Sequence, residues 1–193
     1  MSRHIHRYNW YWFDGSGWRV NAKGSGLLTH ILRPMLTLFA SMLDSHSKVF
    51  VYRFDLRIPE HTADNKVISD FLRRLKKRIK AHYKTGDVAY FWVREQERAK
   101  RQHYHVALIL DGHKVRHPYQ INLWIHDYSD IFDLTPHYSS YWNVRRDRAD
   151  FESKKADACY HISYLAKSRG KGSRPPQTKD FGHSRFRSKQ LRP

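Results

Sequence analysis

The sequence predicts an α+β fold, a central antiparallel β-sheet with flanking helices, from three observations. Residues 50–58 alternate, with Phe50, Tyr52, Phe54, Leu56 and Ile58 set against Val51, Arg53, Asp55 and Arg57 until Pro59 stops the run. Two β-rich runs, VAYFWVRE (88–95) and HYHVALIL (103–110), flank the charged connection QERAKRQ and read as an antiparallel hairpin. Apolar stripes of helical spacing occur before, between and after these runs, which is the order of an α+β domain.

In chain order, residues 4–20 are aromatic-rich and broken by Asp14-Gly15-Ser16-Gly17, the pattern of a small hairpin, with a loop over 21–26. Leu27 to Leu43 carries a wide apolar face through Leu28, Ile31, Leu32, Met35, Leu38, Phe39 and Met42, with Pro34 expected to kink the helix. The alternating strand follows, one face expected in the core and the other polar. A second helix is expected over about 65–83, with Val67, Ile68, Phe71, Leu72, Leu75 and Ile79 on one side and RRLKKRIK loading the other with positive charge. Residues 111–143 have no clear period apart from a short helix around Gln120–His126. A third helix is expected over about 150–168, before a segment dense in Arg, Lys, Gly and Pro. The expected organisation is therefore an N-terminal hairpin and helix (1–46) appended to a core (47–168), and a basic tail (169–193) that orders on a polyanion.

With 193 residues, 40% of them apolar, one main domain with a packed core is expected. Lys and Arg number 36 against 18 Asp and Glu, a formal charge of +18 that attracts polyanions, nucleic acid first. The single Cys159 excludes an internal disulfide and a thiolate metal framework; it reads as a small buried side chain in a reducing, cytoplasmic setting. No apolar run reaches the ~18 residues of a membrane span, and no secretory leader is evident, so no membrane partner is expected.

The chemistry concentrates in two places. His103 and His105 are two apart on a strand, so both imidazoles leave the same face. Pairing the hairpin about Ala99 puts Glu95 opposite His103 and Val93 opposite His105, so Glu95, His103 and His105 share that face. Two nitrogens and one carboxylate suit a divalent ion, Mg²⁺ or Mn²⁺, with positions left open for phosphate oxygens. Asp55 and Glu97 are the alternative third ligands, Glu97 being within the connection. On the last helix, Tyr160, Tyr164 and Lys167 are spaced i, i+4 and i+7 and share a face.

These pieces in this order resemble the HUH endonuclease superfamily. The closer likeness is to the replication-initiator family of filamentous phages and related prophage elements. It is carried by SKVFVYRFDLR (47–57), HYHVALIL (103–110), SYLAKSRGKG (163–172) and FGHSR (181–185). The resemblance implies that His103 and His105, with a third polar ligand, hold a divalent metal that polarises the scissile phosphate of single-stranded DNA. It also implies that Tyr164 attacks to leave a 5′-phosphotyrosyl enzyme, and that Lys167 positions or neutralises the phosphate. Tyr160 fits the second tyrosine that some members carry. The implied activity is nicking of one strand at a replication origin to start rolling-circle replication. Its substrate is single-stranded DNA or a DNA hairpin, with a host helicase and polymerase as further partners. A transposase or relaxase would use the same chemistry, and a non-catalytic DNA-binding regulator would keep only the fold and the charge. Arg53 and Arg57 on the first strand, and Arg169, Lys171, Arg174 and Arg185 in the tail, are the expected phosphate contacts.

Overall fold

Alternation, turn chemistry and helical stripes produce most of the expected elements in a computed structural model of the chain, which describes residues 4–96, 102–172, 175–176 and 178–186. Ile5–His6 (β1) precedes a hairpin of Trp10–Phe13 (β2) and Ser16–Arg19 (β3), whose two-residue turn places Asp14 and Gly15 at φ 50° and 69°. Both central residues at positive φ match the right-handed twist of the flanking strands, which is why Asp-Gly occurs there. Leu27–Leu28 (β4) returns to pair with β1, so the first helix, Thr29–Ser45 (α1), starts two residues later than its apolar stripe. Pro34 lies inside it.

Lys48–Arg57 (β5) is followed by Lys66–Tyr83 (α2), then Val88–Glu95 (β6) and His103–Asp111 (β7). The β6–β7 register is the expected one, from Val88↔Leu110 to Glu95↔His103. Tyr119–Phe132 (α3) extends well beyond the short helix expected there. Thr135–Arg145 (β8) was not anticipated at all. It is an edge strand, half exposed and bulged opposite Asp55 and Leu56, so its side chains show no clean two-residue period. Phe151–Ile162 (α4) gives way to a tight 3-10 turn over Ser163–Ala166, and Phe181–His183 (β9) closes the sheet. The five strands are antiparallel in the order β8-β5-β7-β6-β9.

The sheet is covered on both faces, which corrects the expectation of one polar face on β5. Phe50, Tyr52, Phe54 and Leu56 pack with Tyr104, Val106 and Leu108 beneath α2 and α3, whose contribution includes Phe71, Leu75, Trp124 and Ile125. Val49 and Val51 pack on the other face with Phe91, Val93, Ala107 and Ile109 beneath α1 and α4. Each of these large apolar side chains contributes about 1.5–3 kcal/mol by leaving water. Arg53 and Asp55 lie on this second face and are buried, because α4 and the 3-10 turn roof them over.

The two ends of the chain also differ from expectation. Trp18, Val20 and the apolar face of α1 belong to the second-face core, so the N-terminal segment is part of the fold rather than an appendage. The basic segment from 169 onward supplies β9. Backbone hydrogen bonds also join Gly170 to Gln96 and Asp180 to Arg94, with the Gly170 and Asp180 carbonyls accepting. No described helix is long and apolar enough to cross a membrane.

Candidate functional site

Because residues of one parity share a sheet face, the register fixes which side chains meet. Asp55 pairs with His105, and His105 with Val93; one rung along, Arg57 pairs with His103, and His103 with Glu95. Glu95, His103 and His105 therefore converge at the end of the hairpin next to its connection, as the connection length predicted. Their ligand atoms all lie within 4.8 Å of one another. Glu95 Oε2 stands 2.5 Å from His105 Nε2 and 3.4 Å from His103 Nε2. Neighbouring ligands on an octahedral ion with bonds of about 2.1 Å stand about 3 Å apart, so these separations bracket that spacing. The donor set fits a divalent cation.

Asp55, the alternative ligand, is on the far side of the ring, with Oδ1 2.7 Å from His105 Nδ1. The two atoms are in contact but lie off the line of a hydrogen bond. A carboxylate there favours the proton on Nδ1 and leaves Nε2 as the donor toward a metal, the arrangement common behind metal-bound histidines. Asp55 thus orients His105. Glu97 lies outside the described residues.

The charges are mutually supporting. Burial alone would raise the Glu95 pKa, but hydrogen bonds with His103 and His105 and the nearby Lys171 charge outweigh it, so the carboxyl is held well below its usual range. Asp55 is likewise lowered, burial being outweighed by His105 and Arg53. Lys171 Nζ is 3.9 Å from Glu95 Oε2, its side chain fully buried and without a hydrogen-bond partner among the described residues. Burial lowers the ammonium pKa, and Glu95 pushes the other way.

Tyr164 reaches this cluster, but from the 3-10 turn rather than from a helix. Its ring meets His105 edge-on at 5.4 Å, and the Arg53 guanidinium lies 4.5 Å over its face. Burial, then the Glu95 charge, raises its pKa against the opposing pull of Arg53. The tighter turn breaks the helical face on which Tyr160, Tyr164 and Lys167 were expected to meet. Tyr160 instead lies under Arg19, 5.1 Å from its guanidinium. Lys167 is a correction as well: its ammonium donates to the Lys23 carbonyl, tying the turn to the N-terminal loop. Its backbone has already left helical geometry, with φ −50° and ψ 138°.

Of the expected phosphate contacts, Arg57, Arg169 and Arg185 are exposed, and Arg174 lies outside the described residues. Arg53 and Lys171 are corrected to buried members of the site, because the chain from 163 to 171 folds over them. Gly170 was overlooked. Its φ of +70° and the 2.4 Å separation between a Cβ placed there and Glu95 Cγ show why glycine stands in the G-K-G run. Cys159 is buried, as expected, and burial pushes its thiol up to about 12.

Comparison with curated proteins returns no match. A family model described as the YagK/YfjJ C-terminal domain matches residues 16–123, which include Asp55, Glu95, His103 and His105 and end before Tyr164. That match spans more than half of the chain, and the protein belongs to the YagK/YfjJ C-terminal domain family.

Proposed function

We propose that the protein is a metal-dependent nicking and joining enzyme for single-stranded DNA, of the kind that starts rolling-circle replication. The observation that carries this reading is the contact of Tyr164 with His105 beneath the Arg53 guanidinium, at the edge of the Glu95-His103-His105 group. A tyrosine, a cation and a hard-metal donor set in one place suit phosphoryl transfer better than a solely structural role.

Glu95, His103 and His105 would hold the divalent ion, which as Mg²⁺ or Mn²⁺ supplies Lewis-acid polarisation of a phosphate oxygen. The Tyr164 hydroxyl attacks the phosphorus, the bond from phosphorus to the 3′-oxygen breaks, and the phenol proton is balanced by protonation of that departing oxygen. The 5′-phosphate stays on Tyr164, and the reverse reaction rejoins the strand. Arg53 favours developing phenolate charge through its place over the ring. Asp55 keeps His105 turned toward Glu95, and Lys171 keeps Glu95 ionised. The net positive charge of the chain adds sequence-independent affinity for the backbone.

The test is a denaturing-gel assay of the full chain with Mn²⁺ and a pool of labelled single-stranded DNA that includes DNA of the cognate element. A covalent adduct formed by wild type and by Tyr160→Phe, and absent in Tyr164→Phe and His105→Ala, supports the proposal. An adduct that survives Tyr164→Phe overturns the assignment of the nucleophile. No adduct, with salt-sensitive binding unchanged in all three variants, overturns the enzyme reading in favour of a non-catalytic DNA binder.

A further inference from the structure

We infer that the outer face of the β2–β3 hairpin is a stacking surface for the unpaired bases of the strand attacked by Tyr164; its substrate class rests on the proposed nicking activity. Trp10 is 63% exposed and Trp12 76%, an unusual state for the side chain with the largest apolar surface. Being two apart on one strand, they leave the same face. Across from Trp12 is Gly17, which covers neither indole, and across from Trp10 is Arg19.

The hairpin does not need these indoles to fold. Its inner face carries Trp18, only 6% exposed, which packs on Phe39 and donates to the Phe13 carbonyl. The outer pair is therefore free surface, and its surroundings indicate a polyanion. Arg19 is exposed across from Trp10, Arg7 and Lys23 are exposed in the same N-terminal segment, and Asp14 at the turn is the sole acid between residues 4 and 23. Flat π faces among cations suit nucleobases and their phosphates. Only unpaired bases offer their faces, since those in a duplex are covered by their neighbours.

The hairpin is also joined to the catalytic turn. The Arg19 guanidinium covers the Tyr160 ring, and the Asn21 amide donates to Ser163 Oγ at 2.8 Å, one residue from Tyr164. The exposed platform is thus tied through Arg19 to Tyr160 on α4 and through Asn21 to the residue before Tyr164. A stacking role accounts for the exposed aromatic residues of a segment that matches none of the nuclease motifs.

The experiment measures binding of the full chain, in EDTA so that no strand is cut, to a labelled oligothymidylate of about 16 nucleotides and to a blunt duplex. The expected result is quenching of tryptophan fluorescence by the single strand. A Trp10→Ala/Trp12→Ala variant with an unchanged circular dichroism spectrum and melting temperature should lose roughly five- to 150-fold in affinity for each stacked base removed. Duplex binding should be much less affected, and Trp→Phe changes should restore part of the single-strand affinity. Wild-type affinity for the oligothymidylate in the double alanine variant overturns the inference. So does a tryptophan-dependent dimer in sedimentation accompanied by unchanged DNA affinity. Because the binding assay needs no chemistry, absence of the Tyr164 adduct with tryptophan-dependent binding intact refutes the nicking activity alone.

Discussion

Gly170→Ala tests whether the segment after the Tyr164 turn shapes the Glu95-His103-His105 group. Alanine at φ +70° carries a backbone penalty of about 1–2 kcal/mol. The added Cβ would also stand 2.4 Å from Glu95 Cγ and 2.6 Å from Oε1, where ordinary contact begins at 3.4 Å. Something must therefore move by about 1 Å, and the Glu95 side chain, 6% exposed, has no solvent to move into. Overpacking of this kind costs about 1–3 kcal/mol, so the total loss is about 2–5 kcal/mol. For a chain of this length each kcal/mol lowers Tm by about 2–4 °C, giving a fall of roughly 4–20 °C. A shift of that size also takes Oε2 away from His105 Nε2, now 2.5 Å distant, and removes one of three ligands. Calorimetric titration should then show Mn²⁺ binding weakened at least about tenfold. Gly15→Ala is the matched control: its φ is +69° with nothing within 4 Å of the new Cβ, so it carries the backbone penalty without the crowding. If Gly170→Ala matched Gly15→Ala in both Tm and Mn²⁺ affinity, the packing of Gly170 against Glu95 would not shape the site, and the reasoning would fail.

Asp55→Asn should weaken Mn²⁺ binding about 10- to 100-fold by releasing the His105 tautomer, and unchanged calorimetric affinity would remove Asp55 from the site. Lys167→Met should leave Mn²⁺ affinity intact while lowering Tm, because it deletes a charged hydrogen bond to Lys23 worth about 1.5–3 kcal/mol; the reverse pattern would return Lys167 to the chemistry. Glu95 and Asp55 both have folded pKa values below their unfolded values of about 4.3 and 3.9. As pH falls the unfolded chain takes up these protons first, so the stability they contribute is complete above about pH 4.3 and is lost below it. Urea midpoints of the EDTA-treated protein should fall steeply below pH 4, and Glu95→Gln should flatten that fall; an equally steep fall in the variant would contradict the assignment.

The metal group was legible because its determinants are local. The separation of His103 from His105 sets their common face, and a seven-residue connection sets the rung on which Glu95 meets His103. The tyrosine end was less legible: spacing reads the chain from 150 to 168 as one helix, whereas hydrogen bonding tightens after Ile162. The lysine beside Glu95 is consequently Lys171, four residues beyond the one that helical spacing selected. Strand β8 escaped notice because an edge strand with a bulge buries few of its side chains and so carries little alternation. The exposed tryptophans were present in the composition, but only burial separates Trp10 and Trp12 from Trp18 and Trp92.

The sequence by itself determined the α+β class, the β6–β7 register and the pairing of Glu95 with His103. Periodicity, turn residues and connection length act over a few residues and leave their record in the chain. Only the tertiary structure decided that both faces of β5 are buried and that Arg53 lies over Tyr164. It also decided that Lys171 lies at the site, that Phe181–His183 joins the sheet, and that the N-terminal hairpin presents two indoles to solvent near the turn that carries Tyr164. These depend on contacts between residues as far apart as Asn21 and Ser163, or Gly170 and Gln96. Such contacts arise from the packing of several elements at once, and no local pattern records them.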